Sequence, residues 1–466
     1  MKKISKKPEK NKYYTIKIED LSKYGGGVGK IDGFTVFVEN TLPQETVRIK
    51  ILSVYKNYAY GQLMAILTSS PHRIKPECRY AKKCGGCSLQ HLEYTAELKQ
   101  KQKIVRDAFE RIGGFKDINN YIHDIIGMET PERSRNKAQF PVCKNFKTDT
   151  VEIGFYAQGS HNIIDMEGCP IAHQVNDRII SICRDFITQN NIEPYNEKSH
   201  SGLIRHIFTR VGFSTGEIMV CIVINGEILP HAEKLIDELK KIKGMTSITL
   251  NVNTEKTNVI TGKKIIPLWG GDYIYDYIDD IKFKISPLSF YQVNPTQMKI
   301  LYKRALDMAN ITDGNRSQIC IDAYCGIGTI SLYFAKYAKK IYGIEVISDA
   351  VSDAKDNAEL NGIDNAEFIL GKSEEEIPRL IQEDKIVPDF IILDPPRKGC
   401  DAKLLDAISQ GKIEKIIYIS CDPATLSRDA KHLCANGYKI EQIQPVDMFP
   451  RTMHVESVVL LKRQDK

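Results

Sequence analysis

The chain is predicted to be an α/β protein in three parts: a small N-terminal β-barrel of OB-like type, a mixed central α+β domain, and a C-terminal Rossmann-like domain. Three observations predict this. Between about residues 12 and 68, short runs alternate apolar and polar side chains at strand length, as the strands of a small barrel do. From about residue 285 onward apolar strands alternate with helical stretches, the pattern of a parallel sheet that binds ligands at its strand C-termini. One of those strands runs into a glycine turn, Cys325-Gly326-Ile327-Gly328.

With 466 residues, 42% hydrophobic and 27% charged, the composition is that of a soluble protein with ample length for several cores. No run of 18 apolar residues occurs, so no membrane span or membrane partner is expected. Met1 to Lys7 carries charge without an apolar segment, which is not a secretory signal and points to the cytoplasm. Twelve cysteines in that compartment are expected to be reduced, catalytic or metal-bound. A net charge of +6 alone does not indicate nucleic acid, but the first 30 residues concentrate Lys2, Lys3, Lys6, Lys7, Lys10, Lys12, Lys17, Lys23 and Lys30. Such a basic tail either attracts phosphates or simply aids solubility.

The tail is assigned to residues 1–11 and the barrel to 12–69. Its strands are read at Tyr14 to Ile18, Thr35 to Val38, Thr46 to Ile51 and Tyr60 to Leu67, punctuated by Gly25-Gly26-Gly27, Asp32-Gly33 and Leu42-Pro43. The central domain is assigned to 70–284. It opens on a cysteine cluster and a charged helix from about His91 to Ile112, with Leu98, Ile104, Val105, Phe109 and Ile112 at helical spacing, which Gly113-Gly114 stops. That helix, over 91–112, is a candidate to pack on the C-terminal domain, assigned to 285–466. There, strands are read at Ile319 to Asp322, Ile341 to Glu345, Asp389 to Leu393 and Ile416 to Ser420, with helices from about Ile330 and over Ser348 to Asn361.

Glycines let backbone approach a ligand closely, and Glu345 ends the next strand about 20 residues on, where a carboxylate binds ribose hydroxyls. The spacing fits dinucleotide and S-adenosylmethionine alike. The third glycine of a dinucleotide loop is missing, since position 331 is Ser331, which favours S-adenosylmethionine, a ligand without pyrophosphate. Asp394-Pro395-Pro396-Arg397 leaves another apolar strand through a loop stiffened by proline. Cys421, in Ser420-Cys421-Asp422-Pro423-Ala424-Thr425, stands behind a fourth. A thiolate there is a candidate nucleophile for covalent group transfer.

Together these motifs resemble the RNA uracil-5-methyltransferase family over about residues 12–463. The matching runs are Ser289-Phe290-Tyr291-Gln292-Val293-Asn294, Asp322 to Gly328, Leu393 to Arg397, Ser420 to Thr425 and Met448 to Glu456. The resemblance implies that Gln292, Tyr324, Glu345 and Asp394 contact S-adenosylmethionine. It implies Cys421 as nucleophile, Glu456 as general base, Phe290 as the platform for the target base, and the barrel as a TRAM domain that binds RNA.

The chemistry needs those residue types. C5 of uracil is too poor a nucleophile to attack a methyl sulfonium. A thiolate added at C6 makes an enolate with electron density at C5, and a base must then take the C5 proton. The uridine must leave its stack to be reached, hence the aromatic platform.

Cys78, Cys84 and Cys87 form C-x5-C-x2-C around Gly85-Gly86, and Cys169, before Pro170, is a candidate fourth thiolate. By count alone four cysteines suit zinc or an iron–sulfur cluster; the resemblance implies [4Fe-4S], in a structural rather than redox role. Arg135-Asn136-Lys137, Arg205-His206 and Arg210 are candidate phosphate contacts or structural residues.

A TRAM domain with four such cysteines resembles the 23S ribosomal RNA branch, so the expected substrate is a uridine of that RNA and the expected state a monomer. A transfer RNA substrate and a non-catalytic RNA-binding protein are the alternatives. A cytosine-5 enzyme would place its cysteine directly after the Asp-Pro-Pro loop, where this chain has Arg397, with Cys400 three residues further on.

Overall fold

The computed structural model describes residues 7–311 and 316–464; the lysines at positions 2, 3 and 6 lie outside them. The chain divides into two compact units.

The first unit runs through Ile104 and includes Tyr156–Asn162 and Phe449–His454. Its strands are β1 (Tyr13–Leu21), β2 (Gly27–Ile31), β3 (Phe34–Val38), β4 (Thr46–Val54) and β5 (Tyr58–Thr68). They close into a barrel in the order β1-β2-β3-β5-β4, with β3 and β5 parallel and the other pairs antiparallel. Alternation builds it: Ile16 and Ile18, Val36 and Val38, and Val47, Ile49 and Ile51 point inward and form the core. Gly29 has no room for a side chain, since a Cβ would lie 2.6 Å from the Lys17 carbonyl oxygen across the β1–β2 ladder.

Helix α1 (Tyr94–Ala108) follows and continues as a π-helical turn over Phe109–Gly113, with Gly114 at φ +75° ending it. Within α1, Glu97 and Lys101 form a fully buried ion pair at 2.8 Å. Lys101 also donates to the Phe449 carbonyl at 3.0 Å, and Glu97 accepts the Arg451 N–H at 2.7 Å. The returning segment Phe449–His454 is thereby held by buried charge.

The second unit contains two seven-stranded sheets. The central one uses β6 (Lys137–Asn145), β7 (Thr150–Tyr156), β8 (Ile163–Asp165), helix α2 (Val175–Gln189), β9 (Ile204–Val211), β10 (Ile218–Ile224), helix α3 (Ala232–Leu239), β11 (Met245–Val252) and β12 (Lys264–Gly270). Its strand order is β12-β11-β10-β9-β6-β7-β8. A hairpin of β13 (Ile274–Ile278) and β14 (Ile281–Ile285) leads out of it.

The C-terminal sheet is built from α4 (Pro295–Ala309), β15 (Ile319–Asp322), α5 (Thr329–Ala335), β16 (Lys340–Glu345), α6 (Ser348–Leu360), β17 (Ala366–Leu370), α7 (Ser373–Gln382), β18 (Phe390–Leu393), α8 (Ala402–Gln410), β19 (Lys415–Ser420), α9 (Pro423–Ala435), β20 (Tyr438–Val446) and β21 (Glu456–Arg463). The order is β17-β16-β15-β18-β19-β21-β20. Strands β15 to β19 are parallel and β21 runs antiparallel to β19. β18 and β19 are buried along their whole length, as strands covered on both faces are. The order reverses at β15, flanked by β16 and β18, and such a reversal opens a crevice at the strand C-termini. Among the described residues no helix is long and apolar enough to cross a membrane.

Candidate active site

Strands β15, β16, β18 and β19 end on one edge of the C-terminal sheet, so Asp322, Glu345, Asp394 and Cys421 are delivered there by strand direction alone. Glu456 arrives from the opposite direction. Ser420 pairs with Ser457 in the antiparallel β19–β21 ladder, so the residue after Ser420 faces the residue before Ser457. Register places Cys421 and Glu456 side by side from positions 35 residues apart.

The turn after β15 holds Gly326 at φ +53° and Gly328 at φ +85°, the left-handed region that glycine enters without strain. A Cβ on Gly326 would meet nothing, whereas one on Gly328 would lie 3.2 Å from the Phe368 ring. Gly326 therefore faces open space and Gly328 serves packing. Ser331, where a dinucleotide loop has its third glycine, donates to the Asp322 carboxylate at 2.6 Å. Glu345 accepts the N–H groups of Gly326 (3.2 Å), Val346 (2.8 Å) and Ile347 (3.0 Å). Beside it Val346 and Ile347 stay 60% and 59% exposed, an apolar ledge next to a fixed carboxylate.

Acidic groups crowd this edge. Burial raises the Asp322 carboxyl to about 6, with a further push from Glu345. Burial and then Asp322 raise Asp394, and burial and then Asp394 raise Glu456. Carboxylates raised by burial and by one another are set to favour a cation, which stabilises their charged forms. That is the charge character of a methyl sulfonium, and with the open backbone at Gly326 it makes the crevice fit S-adenosylmethionine.

Cys421 is half-buried at the end of β19. Burial, then Glu456 and Asp394, push its thiol up to about 11, while a hydrogen bond and the charge of Arg397 pull it down. Arg397 also lowers Glu456, so one exposed guanidinium serves both groups. The loop bearing Arg397 is clamped by α9: Thr425 Oγ1 donates to the Arg397 carbonyl (3.3 Å), Arg428 to the Lys398 carbonyl (3.0 Å), and the Cys400 N–H to Asp429 (2.8 Å). Asp422 caps α9 by accepting from the N–H groups of Ala424 and Thr425, with Pro423 at the first helical position. Cys421 thus sits one residue before a well-anchored helix start.

The Ser289–Asn294 segment is fixed from behind. Arg210, almost fully buried, donates to the Ser289 carbonyl at 2.9 Å, and Asn136 donates through its side chain to the Gln292 carbonyl at 3.1 Å and through its N–H to the Val293 carbonyl at 2.8 Å. Asn294 caps α4 and donates to the Met448 carbonyl at 3.2 Å. Phe290, 68% exposed, projects from this rigid loop, while Gln292 is buried. Tyr324 is half-buried against Cys400, and burial raises its hydroxyl.

Four of the candidate phosphate contacts turn out to be interior. Asn136 and Arg210 support the Phe290 loop, and Arg205 donates to the carbonyls of Asn253, Glu255 and Thr257. His206 is buried, and desolvation first, then Arg205, lowers it to about 4. The sequence carries little signal of a supporting role, since β9 is apolar at only four of its eight positions; buried along its whole length, it has no free face for phosphate.

Cys78, Cys84 and Cys87 lie half-buried in the first unit. The Gly86 N–H donates to Cys84 Sγ at 3.3 Å and Gln90 to Cys87 Sγ at 3.6 Å. Gly85 is held by the Tyr156 carbonyl at 2.9 Å, and a Cβ there would lie 3.1 Å from Gln158 Cα. N–H donors aimed at sulfur suit thiolate ligands of a cluster. Among the described residues no three ligand-type side chains are drawn together; ligand convergence is commonly completed by the metal. Cys169, in the second unit, is buried, and its carbonyl accepts from Arg133 at 2.8 Å.

Comparison with known proteins agrees with this geometry. Residues 93–464 match the family described as tRNA (Uracil-5-)-methyltransferase, and residues 7–64 match the TRAM domain. The chain is 46% identical over 454 residues to an uncharacterized RNA methyltransferase of Clostridium tetani, covering 97% of each chain. It is 48% identical over 459 residues to another from Clostridium acetobutylicum, covering 98% of each. Among solved structures it is similar to the Pyrococcus abyssi tRNA (uracil-54, C5)-methyltransferase in complex with S-adenosyl-L-homocysteine, at 28% identity and TM-score 0.77, covering 96% of this chain and 99% of that one.

Proposed function

The chain belongs to the tRNA (uracil-5-)-methyltransferase family, an S-adenosylmethionine-dependent RNA methyltransferase with a TRAM domain, and from that premise we propose that it methylates C5 of a uridine in 23S ribosomal RNA through a covalent adduct at Cys421. The observation that carries the chemistry is the β19–β21 register, which sets Cys421 beside Glu456 with Arg397 on both. In this reading Gln292, Tyr324, Glu345 and Asp394 hold S-adenosylmethionine, with Glu345 on the ribose. That ligand supplies an electrophilic methyl group.

Phe290 stacks on the uracil turned out of its strand. Arg397 favours the Cys421 thiolate, which bonds to C6 and moves the C5–C6 π electrons to C5 and O4. C5 takes the methyl group and becomes tetrahedral. Glu456, raised by burial and Asp394 and lowered by Arg397, takes the C5 proton in its carboxylate form. Those electrons re-form the C5–C6 double bond as the C6–S bond breaks, returning Cys421 as thiolate. One methyl enters and one proton leaves.

As the family resemblance implies, Cys78, Cys84, Cys87 and Cys169 are taken to hold a [4Fe-4S] cluster in a structural role; nothing in the reaction draws on it. The reading further takes residues 12–69 as the RNA-binding barrel, 70–284 as the central domain, 285–466 as the catalytic domain, and the protein as a cytoplasmic monomer.

A transfer RNA substrate is the second reading, favoured by the similarity to the Pyrococcus abyssi tRNA (uracil-54, C5)-methyltransferase. Methyl transfer from labelled S-adenosylmethionine to unmodified 23S and transfer RNA, followed by nucleoside mass spectrometry, separates the two. 5-Methyluridine in 23S RNA is the expected product. 5-Methyluridine confined to transfer RNA would transfer the assignment, and 5-methylcytidine or a methylated amine would overturn it.

A further inference from the structure

The barrel carries an aromatic cluster that its core does not use. Phe37 on β3, Tyr58 and Tyr60 on β5, and Tyr55 in the β4–β5 turn gather on the outside. Tyr55 stacks on Tyr58 with centroids 4.9 Å apart at 22°, and Phe37 meets Tyr58 edge-on at 5.7 Å and Tyr60 at 5.8 Å. None of the four belongs to the barrel's core, which is filled by aliphatic residues and Phe34. Tyr55 and Tyr60 are 50% and 41% exposed.

The arrangement follows from register. Phe37 pairs with Tyr60, and Thr35 with Tyr58, in the parallel β3–β5 ladder. The outward side chains of two neighbouring strands therefore form one row. Because the barrel is closed, it offers no strand edge for a partner to extend, and recognition must use outward side chains. Along the chain, residues 46–76 contain Arg48, Lys50, Lys56, Arg73 and Lys75 and no Asp or Glu, with Arg73 paired to Glu45, and β3 contains no carboxylate. Lys50 pairs with Gln62, two residues along β5 from Tyr60, and Arg48 lies over the exposed Tyr13 ring at 5.5 Å.

Stacking faces with lysines beside them are what unpaired nucleotides bind: bases lie on the rings and phosphates meet the cations. A duplex hides its base faces and uses only the cations. Resting on the reading of this chain as an RNA-modifying enzyme, we propose that Tyr55, Tyr60 and their ring neighbours Phe37 and Tyr58, with Lys50 and Lys56, form a stacking platform for a single-stranded segment of the substrate RNA, apart from the target uridine.

The test uses the full chain and fluorescence anisotropy with a labelled single-stranded oligoribonucleotide of about ten nucleotides, near the site size of such barrels, and a hairpin duplex of equal charge. Tyr55→Ala/Tyr60→Ala should weaken single-strand binding about tenfold or more and duplex binding little. Tyr55→Phe/Tyr60→Phe should bind as the parent does, and Lys56→Ala should reduce the salt slope by about one. Unchanged single-strand affinity in the alanine pair overturns the proposal and leaves the patch as a protein-binding surface; an equal loss on both RNAs overturns it too. Formation of 5-methyluridine is measured on the same preparations. Methylation by the parent with unchanged affinity in the alanine pair refutes the platform alone. Ring-dependent binding without 5-methyluridine refutes the proposed reaction alone.

Discussion

In the free protein Cys421 should react as an abnormally weak acid. Its thiol is pushed from the ordinary 9.0 to about 11 by burial, Glu456 and Asp394, against the pull of Arg397. Well below both values, the thiolate fraction is therefore about 100-fold lower than for an ordinary cysteine. Alkylation follows the thiolate, so iodoacetamide labelling of the Cys421 peptide, timed by mass spectrometry, should keep rising about tenfold per pH unit past 9 without levelling. Arg397→Ala removes the charge and hydrogen bond that lower it and should slow labelling further at every pH. A rate that levels off at or below pH 9, or faster labelling in Arg397→Ala, would refute the electrostatic reading of the site.

Other expectations concern the chemistry and the scaffold. Glu456→Gln cannot take the C5 proton, so turnover should stall after one methyl transfer and leave the methylated adduct as a protein–RNA band stable in denaturing gels; free turnover at the parent rate would contradict its role. Gly328→Ala should lose about 1–3 kcal/mol in urea denaturation, since φ is +85° and the new methyl meets the Phe368 ring. Gly326→Ala, with open space around its Cβ, should lose only the left-handed backbone term of about 1–2 kcal/mol while weakening S-adenosylhomocysteine binding in calorimetry. Lys101→Met takes the ammonium from the buried Glu97 carboxylate, which keeps the Arg451 N–H and guanidinium, and should destabilise the protein by about 3 kcal/mol; a loss below about 1 kcal/mol in the same denaturation would show that the pair is not desolvated.

Strand ends were the legible part of this chain. Each apolar run stopped at a residue type that chemistry could use, Asp322, Glu345, Asp394 and Cys421, and parallel strands must deliver such ends to one edge. The reversed strand was less legible. β21 begins Glu456-Ser457 and then reads Val458-Val459-Leu460-Leu461, an apolar run that a helix could equally contain, so Glu456 was assigned by resemblance while its neighbour was fixed by ladder register. Arg397 was read only as a departure from other methyltransferase loops, because no local spacing signals a contact with a residue 24 positions away. Arg210 and Asn136 invite a phosphate reading from their type alone. What turns them inward is a long-range demand, the unpaired carbonyls of the Ser289–Asn294 loop, which a short-range pattern does not carry.

The central claim, covalent activation of a uridine by Cys421, is tested most directly with RNA carrying 5-fluorouridine at the target. Fluorine at C5 cannot leave as a proton does, so once the methyl group is transferred Glu456 has nothing to remove and the C6–S bond should persist. Digestion and peptide mass spectrometry should then find methylated fluorouridine on the Cys421 peptide. An adduct on Cys325 or Cys400, or 5-methyluridine formed from normal RNA with no adduct from the fluorinated one, would contradict the account.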